Sequence, residues 1–376
     1  MKILIVHDSS KIGGAERSLL ELCFQLNQIP NVQLVLCLPN NGKLFSEFTH
    51  HFKEVEELPY VHLAKKWNPI YLIKTFLKKK DYTKRLNKLI EKYQPDLIHA
   101  NSFKSAVLCY DSVANSKIKF TFHQRDSIRV PRLAKRIVDK AQRVFCISKF
   151  IQMQMLPYVT SEEKLLCVYN GIDISLFTDV SLPELKRKHN KKLVLMVAQF
   201  AAWKGQKDFI NMAELLHKDL SDVSFLLIGN TMDASQQAYA NELKELVKKK
   251  ELDDVIEIST SPESMQDLCA KADCLVSCSN DEPFGRALVE AMAASLPVVA
   301  PHSGALPEII EHQQNGMLYP LHDIEKLCHA VEFCLTDNNK VESMIQSAYH
   351  KVKNNFNLKD QAEEFYRHIS VVVSES

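Results

Sequence analysis

A doubly wound α/β fold, formed twice, is what this sequence of 376 residues predicts. Short apolar, β-branched runs alternate with helical patterns along the chain. Those runs lack the apolar/polar alternation of half-exposed strands, which marks parallel strands covered on both faces. One local plan of strand, glycine-bearing loop and amphipathic helix also occurs in each half of the chain.

The length agrees, because a chain of this size exceeds one ordinary core. In the first half the strand-like runs are "KILIVH", "VQLVLCL", "PDLIHA", "IKFTFH" and "RVFCIS". The second half supplies "KLVLMVA", "VSFLLIG", "DVIEI", "ADCLVSC" and "LPVVA". The repeated plan starts with "MKILIVHDS" before Gly13 and Gly14, and again with "KKLVLMVAQ" before Lys204 and Gly205. The polar stretch "SLPELKRKHNKK" (181–192), broken at Pro183, reads as a linker or entry segment, with the domain boundary near residue 175. The expected division is therefore 1–175, 176–355 and a terminal helix over 356–376. In "NLKDQAEEFYRHISVVV" Leu358, Phe365 and Ile369 fall near helical spacing, and this helix is expected to pack back toward the first domain.

Composition narrows the class. Apolar residues are 46% and charged residues 25%, as in a globular protein. No apolar run reaches the length of a membrane span, about 18 residues. The opening "MKILIVHDSS" has no small-residue cleavage site and reads as a first strand, so a cytoplasmic location is expected. The ten cysteines are scattered through apolar runs without any C-x-x-C, which suits a reducing compartment. Cys269, Cys274 and Cys278 lack zinc-ligand spacing, so no metal is expected there. Charge is uneven: residues 1–180 carry 27 Lys/Arg against 17 Asp/Glu, and residues 181–376 carry 20 against 29.

With nine glycines in the chain, their positions are informative. Gly13, Gly14, Gly171, Gly205, Gly285, Gly304 and Gly316 fall in predicted loops, and none makes G-x-G-x-x-G, which disfavours a nicotinamide or flavin dehydrogenase. Parallel sheets bind ligands outside their carboxyl ends, where helix starts offer free N–H groups and favour phosphate. Gly13-Gly14 and Phe284-Gly285 are two such starts, and two facing domains could clamp one diphosphate between them. Glu282 precedes the second start and Glu290 lies within its helix, placed to accept hydrogen bonds from a ribose diol. The alternative for Glu290 is an i,i+4 pair with Arg286, worth about 0.3–0.5 kcal/mol. For Glu282 it is an ordinary acidic residue at a helix start.

These stretches resemble the family 4 glycosyltransferases. "EPFGRALVE" matches their E-x7-E signature, followed by "LPVVAPHSGALPEII" and "QNGMLYP". "YNGIDISLF", "ISKF" and "GGAERSLLEL" match further elements, so the resemblance covers nearly the whole chain in order. It implies the GT-B architecture, two Rossmann-like domains facing across a cleft, with the first domain binding acceptor and the second the nucleotide sugar. By the same resemblance Glu290 looks like the ribose-binding glutamate and Glu282 like the one near the transferred sugar. Phe284, Gly285 and Gly14, beside Gly13, would hold the diphosphate through backbone N–H groups. Lys204 would neutralise the leaving phosphate. His123 resembles the histidine beside the sugar; by itself it reads equally as a satisfied buried histidine at a strand end. One position departs: where the family usually has an arginine, this chain has Gln199, a neutral amide in place of a permanent charge. Arg286 and Arg125 are candidates to compensate. The implied chemistry is retaining transfer without a metal or other cofactor, since no Asp-x-Asp occurs.

Between Lys65 and Lys92 ten Lys/Arg stand against Asp81 and Glu91, interleaved with Trp67, Ile70, Tyr71, Phe76 and Leu77. Such a stretch can lie on an anionic membrane surface; the alternative is a solvated face over the first sheet. Stacking aromatics on a sheet are lacking, so nucleic acid is not expected. The expected function is transfer of a sugar from a nucleotide diphosphate to a glycan or lipid-linked acceptor in surface polysaccharide assembly, at the inner membrane face. The rivals are a nucleotide-sugar epimerase on a similar fold, and a non-catalytic nucleotide-sugar-binding, membrane-associated protein, which Gln199 keeps open. Base selection is expected from the loops after "LLIG" and around "STSPESM".

Overall fold

The structure, a computed structural model, describes all residues except 41, 63–67, 115, 128–130, 182–190, 261–262, 337 and 376. Most of the expected linker (181–192), the start of the basic stretch at Lys65 to Trp67, and part of the loop around "STSPESM" lie outside the described residues. The chain divides into two compact units, Met1–Gly171 with Leu358–Ser376, and Ile172–Asn357.

The first unit is built on a parallel sheet of seven strands: β1 (Lys2–Val6), β2 (Gln33–Leu38), β3 (Val55–Glu57), β4 (Leu97–Ala100), β5 (Lys119–Gln124), β6 (Arg143–Cys146) and β7 (Leu165–Cys167). Their order is β3-β2-β1-β4-β5-β6-β7, so the winding reverses between β1 and β4. The central strand β1 is apolar and buried on both faces: Ile3, Leu4, Ile5 and Val6 are at most 1% exposed. The helix Gly14–Asn27 buries Leu19, Leu22, Cys23 and Leu26 in the core that holds Ile3 and Ile5. The terminal helix Leu358–Ser374 adds Ala362, Phe365, Ile369 and Val372 to that same core, so the end of the chain completes its first unit.

The second unit has six parallel strands: β8 (Lys192–Val197), β9 (Val223–Ile228), β10 (Ile256–Ser259), β11 (Cys274–Val276), β12 (Val298–Pro301) and β13 (Met317–Tyr319). The order β10-β9-β8-β11-β12-β13 reverses between β8 and β11. Val194, Met196, Phe225 and Leu227 pack under the helices Gln206–Asp219 and Ile324–Thr336, which contribute Phe209, Met212, Leu327 and Val331.

Every strand expected from the sequence is present. The structure adds β3, β7 and β13, each of three residues and each at a sheet edge. An edge strand pairs on one side only, and three residues are too few to display a period.

Candidate active site

In open parallel sheets the loops at the carboxyl ends diverge where the winding reverses, leaving a crevice there. In the second unit the loops after β8 and β11 flank that point. The loop after β8 runs through Gln199 into a short turn, Ala202–Lys204, and through Gly205 into its helix. Gly205 has φ 71°, and a Cβ there would stand 2.1 Å from the Cys278 carbonyl oxygen. Only glycine lets the two loops pass this closely. The Asn280 N–H then donates to the Trp203 carbonyl at 2.8 Å.

The loop after β12 closes on Glu282 from the other side. The Ala305 N–H donates to the Glu282 carbonyl at 2.8 Å, and the Asp281 N–H donates to Ser303 Oγ at 2.9 Å. Gly304, at φ 60°, would place a Cβ 2.4 Å from the Glu282 backbone nitrogen. The loop after β12 therefore holds the main chain at Asp281 and Glu282, the loop after β8 holds it at Asn280, and the Glu282 side chain meets Lys204. Lys204 Nζ lies 2.7 Å from Glu282 Oε2 with both side chains largely buried, and 4.0 Å from the centroid of the Trp203 ring. Two candidate residues distant in sequence are thus brought together at the switch point.

Glu290 sits on the helix Arg286–Ala293, with Arg286 Nε 2.7 Å from its Oε1. The i,i+4 pair considered from the sequence is present, with side-chain exposures of only 15% and 9%. Phe284 is buried edge-on against Phe356, at 5.7 Å between centroids. Gln199 donates through its side-chain amide to Met232 Sδ at 3.5 Å, and its backbone carbonyl accepts from Gln206 Nε2 at 2.8 Å.

The first unit carries a polar cluster at the matching position of its own sheet. Gly13 is the N-cap residue of the helix beginning at Gly14, and its N–H donates to Glu16 Oε2 at 2.9 Å, so that amide is engaged within the chain. Glu16 Oε1 lies 3.0 Å from His7 Nε2, and His7 Nδ1 lies 3.2 Å from Asn101 Nδ2. A carboxylate can only accept, so the His7 nitrogen facing Glu16, Nε2, carries a proton. Burial pushes the Glu16 carboxyl up, but its bonds to His7 and Gly13 bring it below the ordinary value. Asp8 behaves likewise: burial raises it, while His7, Lys104 and the hydroxyls of Ser102 and Ser105 leave it lowered.

Arg125 is buried and committed. Its Nε and Nη2 donate to the carbonyl and side chain of Asn101 at 2.8 and 2.7 Å, and Nη1 donates to Asn170 Oδ1 at 2.9 Å. Of the two arginines considered as substitutes for a charge at position 199, Arg125 braces Asn101 and Asn170, and Arg286 faces Glu290.

His123 is 4% exposed, with its Nδ1 2.8 Å from His99 Nε2 and its ring stacked on Phe365 at 5.3 Å. Burial first, then the charge of Arg125, drives His99 down to about 3. His123 lies well below its ordinary value through burial, Arg125 and His99. Sequence reading missed His7, Glu16, Asn101, His99, Trp203 and Ser303. Gly13-x-x-Glu16 has capping-box spacing that could have flagged Glu16; the others are joined only by parallel pairing and loop contacts.

Two such parallel-sheet units, with charged pairs gathered at a carboxyl-end switch point, have the two-domain architecture of the GT-B class. Residues 12–176 match the model for Glycosyltransferase Family 4, and residues 178–351 match that for Glycosyl transferases group 1. The chain belongs to these glycosyltransferases. It is 24% identical over 293 residues to spore coat protein SA of Bacillus subtilis, covering 73% of this chain and 72% of that one. It is 22% identical to N-acetyl-alpha-D-glucosaminyl L-malate synthase of Bacillus anthracis, over 66% of this chain and 61% of that relative. Among solved structures it shares its fold with HepE of Anabaena in complex with UDP and glucose, at TM-score 0.82 and 22% identity over 98% of this chain and 99% of that one. Sucrose-phosphate synthase of Thermosynechococcus elongatus matches at TM-score 0.84 and 18% identity, with both chains covered fully (100%).

Proposed function

We propose that the protein is a retaining glycosyltransferase that takes a nucleoside diphosphate sugar as donor in the second unit and a glycan or lipid-linked acceptor in the first. The observation that carries this is the Lys204–Glu282 pair, formed at the switch point between the loops after β8 and β11 and braced by the loop after β12. HepE, of the same fold, was solved with UDP-glucose, which supports a donor of that class. Breaking the anomeric C–O bond sends its electron pair to the departing diphosphate. Lys204 would turn from Glu282 to that charge, assisted by the N–H groups at Phe284 and Gly285. The freed Glu282 would accept from sugar hydroxyls, and Glu290 would accept from the ribose. The acceptor hydroxyl would attack from the face the diphosphate leaves, and its proton would pass to the leaving phosphate oxygen. With Lys204 as the cation, the proposed reaction uses no resident metal.

A panel of nucleotide sugars scored for thermal stabilisation and slow hydrolysis tests this. One donor should stabilise the protein and be hydrolysed, and Glu290→Ala should abolish both responses. A donor that binds and is never turned over, with or without acceptors, would favour the non-catalytic reading that Gln199 keeps open. Conversion of donor into another nucleotide sugar would mean epimerisation.

Attachment to an anionic membrane surface, in the setting of polysaccharide assembly, belongs to the same proposal. It is supported by the helix Pro69–Tyr93, on which Ile73, Phe76 and Leu77 are 60%, 67% and 57% exposed. Lys74, Lys78, Lys80, Lys84 and Lys88 on that helix have no ion-pair partner among the described residues. No helix of the described residues is long and apolar enough to cross a membrane.

A further inference from the structure

We infer that Thr121 and His99 are positioning residues that hold His123 in the tautomer with its proton on Nε2, so that His123 presents a hydrogen-bond donor and not a base. The three side chains form one line through adjacent parallel strands. His99 on β4 is paired in register with Thr121 on β5, and His123 lies two residues further along β5 on the same face. Thr121 Oγ1 is 2.8 Å from His99 Nδ1, and His99 Nε2 is 2.8 Å from His123 Nδ1.

A neutral imidazole has one donor and one acceptor nitrogen, so this line has two self-consistent proton arrangements. In one, the Thr121 hydroxyl donates to His99 Nδ1, His99 donates from Nε2 to His123 Nδ1, and His123 keeps its own proton on Nε2. In the other every bond is reversed: His99 donates to the Thr121 oxygen, His123 donates from Nδ1, and its Nε2 is left as a lone pair.

The hydroxyl decides between them. Thr121 and His99 are 0% exposed, and His99 is the one hydrogen-bond partner of the Thr121 side chain among the described residues. The reversed arrangement strands the hydroxyl proton in the interior without an acceptor, which is the expensive way to bury a polar group. The forward arrangement uses every polar hydrogen inside the line. Both rings stay neutral, because burial and Arg125 oppose a second proton. Phe365 blocks rotation, stacking on His123 and meeting the His99 ring edge-on at 4.9 Å.

The inference rests on the reading, implied by the family resemblance, in which His123 is the histidine beside the transferred sugar. There an Nε2–H suits an oxygen acceptor, such as a sugar hydroxyl or a diphosphate oxygen. It cannot remove the acceptor alcohol's proton, which agrees with giving that task to the leaving phosphate.

The test uses the full chain labelled with 15N-histidine and long-range 1H–15N correlation at neutral pH, the two rings assigned with His99→Asn and His123→Asn. Both rings should show a protonated Nε2 and a bare Nδ1; a protonated Nδ1 on His123 overturns the inference. Thr121→Val removes the deciding hydroxyl at constant shape. It should spread His123 over both tautomers and weaken affinity for the stabilising nucleotide sugar about threefold to tenfold, as for one neutral hydrogen bond. Thr121→Ser should restore both signals. A folded Thr121→Val protein with an unmixed Nε2–H signal and unchanged affinity refutes the role given to Thr121. The donor reading fails separately: His123→Asn keeps a polar atom facing His99 but lacks Nε2, and unchanged donor affinity in it would remove His123 from the site while leaving the tautomer assignment intact.

Discussion

Lys204 and Glu282 stand 78 residues apart in the chain and 2.7 Å apart in the fold. A largely buried ion pair adds little net stability, yet removing one member strands the other. Lys204→Ala should therefore lower stability by about 1–3 kcal/mol and turnover by about 100-fold or more. Adding Glu282→Gln should recover much of the stability and none of the turnover. Urea midpoints beside hydrolysis rates for the parent protein and the two variants check this, and full turnover in Lys204→Ala would exclude it from leaving-group stabilisation.

The two buried histidines make a pH prediction. The His99 pKa is about 3 when folded and 6.5 when free, so between these values the unfolded chain binds a proton that the folded one refuses. Stability is fully present above the upper value and falls as pH drops toward the lower, by up to about 1.4 kcal/mol per pH unit. His123 shifts the same way, and the lowered Asp8 and Glu16 add their loss in the more acidic carboxylate range. Chemical denaturation from pH 7 to 5 should show this decline, and His99→Asn should flatten it. Each of the residues proposed for the donor could be picked out along the chain. The partners Trp203, His99 and Thr121 could not, because no spacing links them.

At the scale of elements, the helices announce themselves well. Ser102 and Ser148 cap the helices Phe103–Val113 and Lys149–Met155 by accepting from Ser105 N and Ile151 N, as serine before a helical run predicts. The basic helix was recognisable as amphipathic, but which residues face outward depends on what it packs against. Tyr82 and Leu86 turn inward, leaving Ile73, Phe76 and Leu77 exposed beside Lys74, Lys78 and Lys80, which have no ion-pair partner among the described residues. Flotation with vesicles tests the attachment: the protein should float with anionic and not with neutral lipid at low salt. Replacing Ile73, Phe76 and Leu77 with serine should weaken that binding severalfold without changing thermal stability, since the three contribute little to the core. Unchanged flotation would assign the helix to a solvated face. The glycine loops were visible as glycines, but the need for them at Gly205 and Gly304 comes from backbone brought close by other strands.

For the whole molecule, the terminal helix ties the end of the chain to its beginning. Phe365 lies against His99, His123 and Phe145, and Ile369 and Val372 join the core around Ile3. Deleting residues 358–376 should expose that core and the histidine line together. Limited proteolysis should then cut the first unit rapidly while fragments of Ile172–Asn357 persist longer; equal resistance of the truncated chain would show the helix dispensable. By itself the sequence determined the number and kind of units, their central strands and the identity of the charged candidates. Those follow from local periodicity and from residue types that only certain chemistry needs. The tertiary structure alone decided the edge strands, the pairing of Lys204 with Glu282, the engagement of Arg125, and the line from Thr121 through His99 to His123. Each of these arises where the winding of a parallel sheet sets side by side residues that the chain keeps far apart.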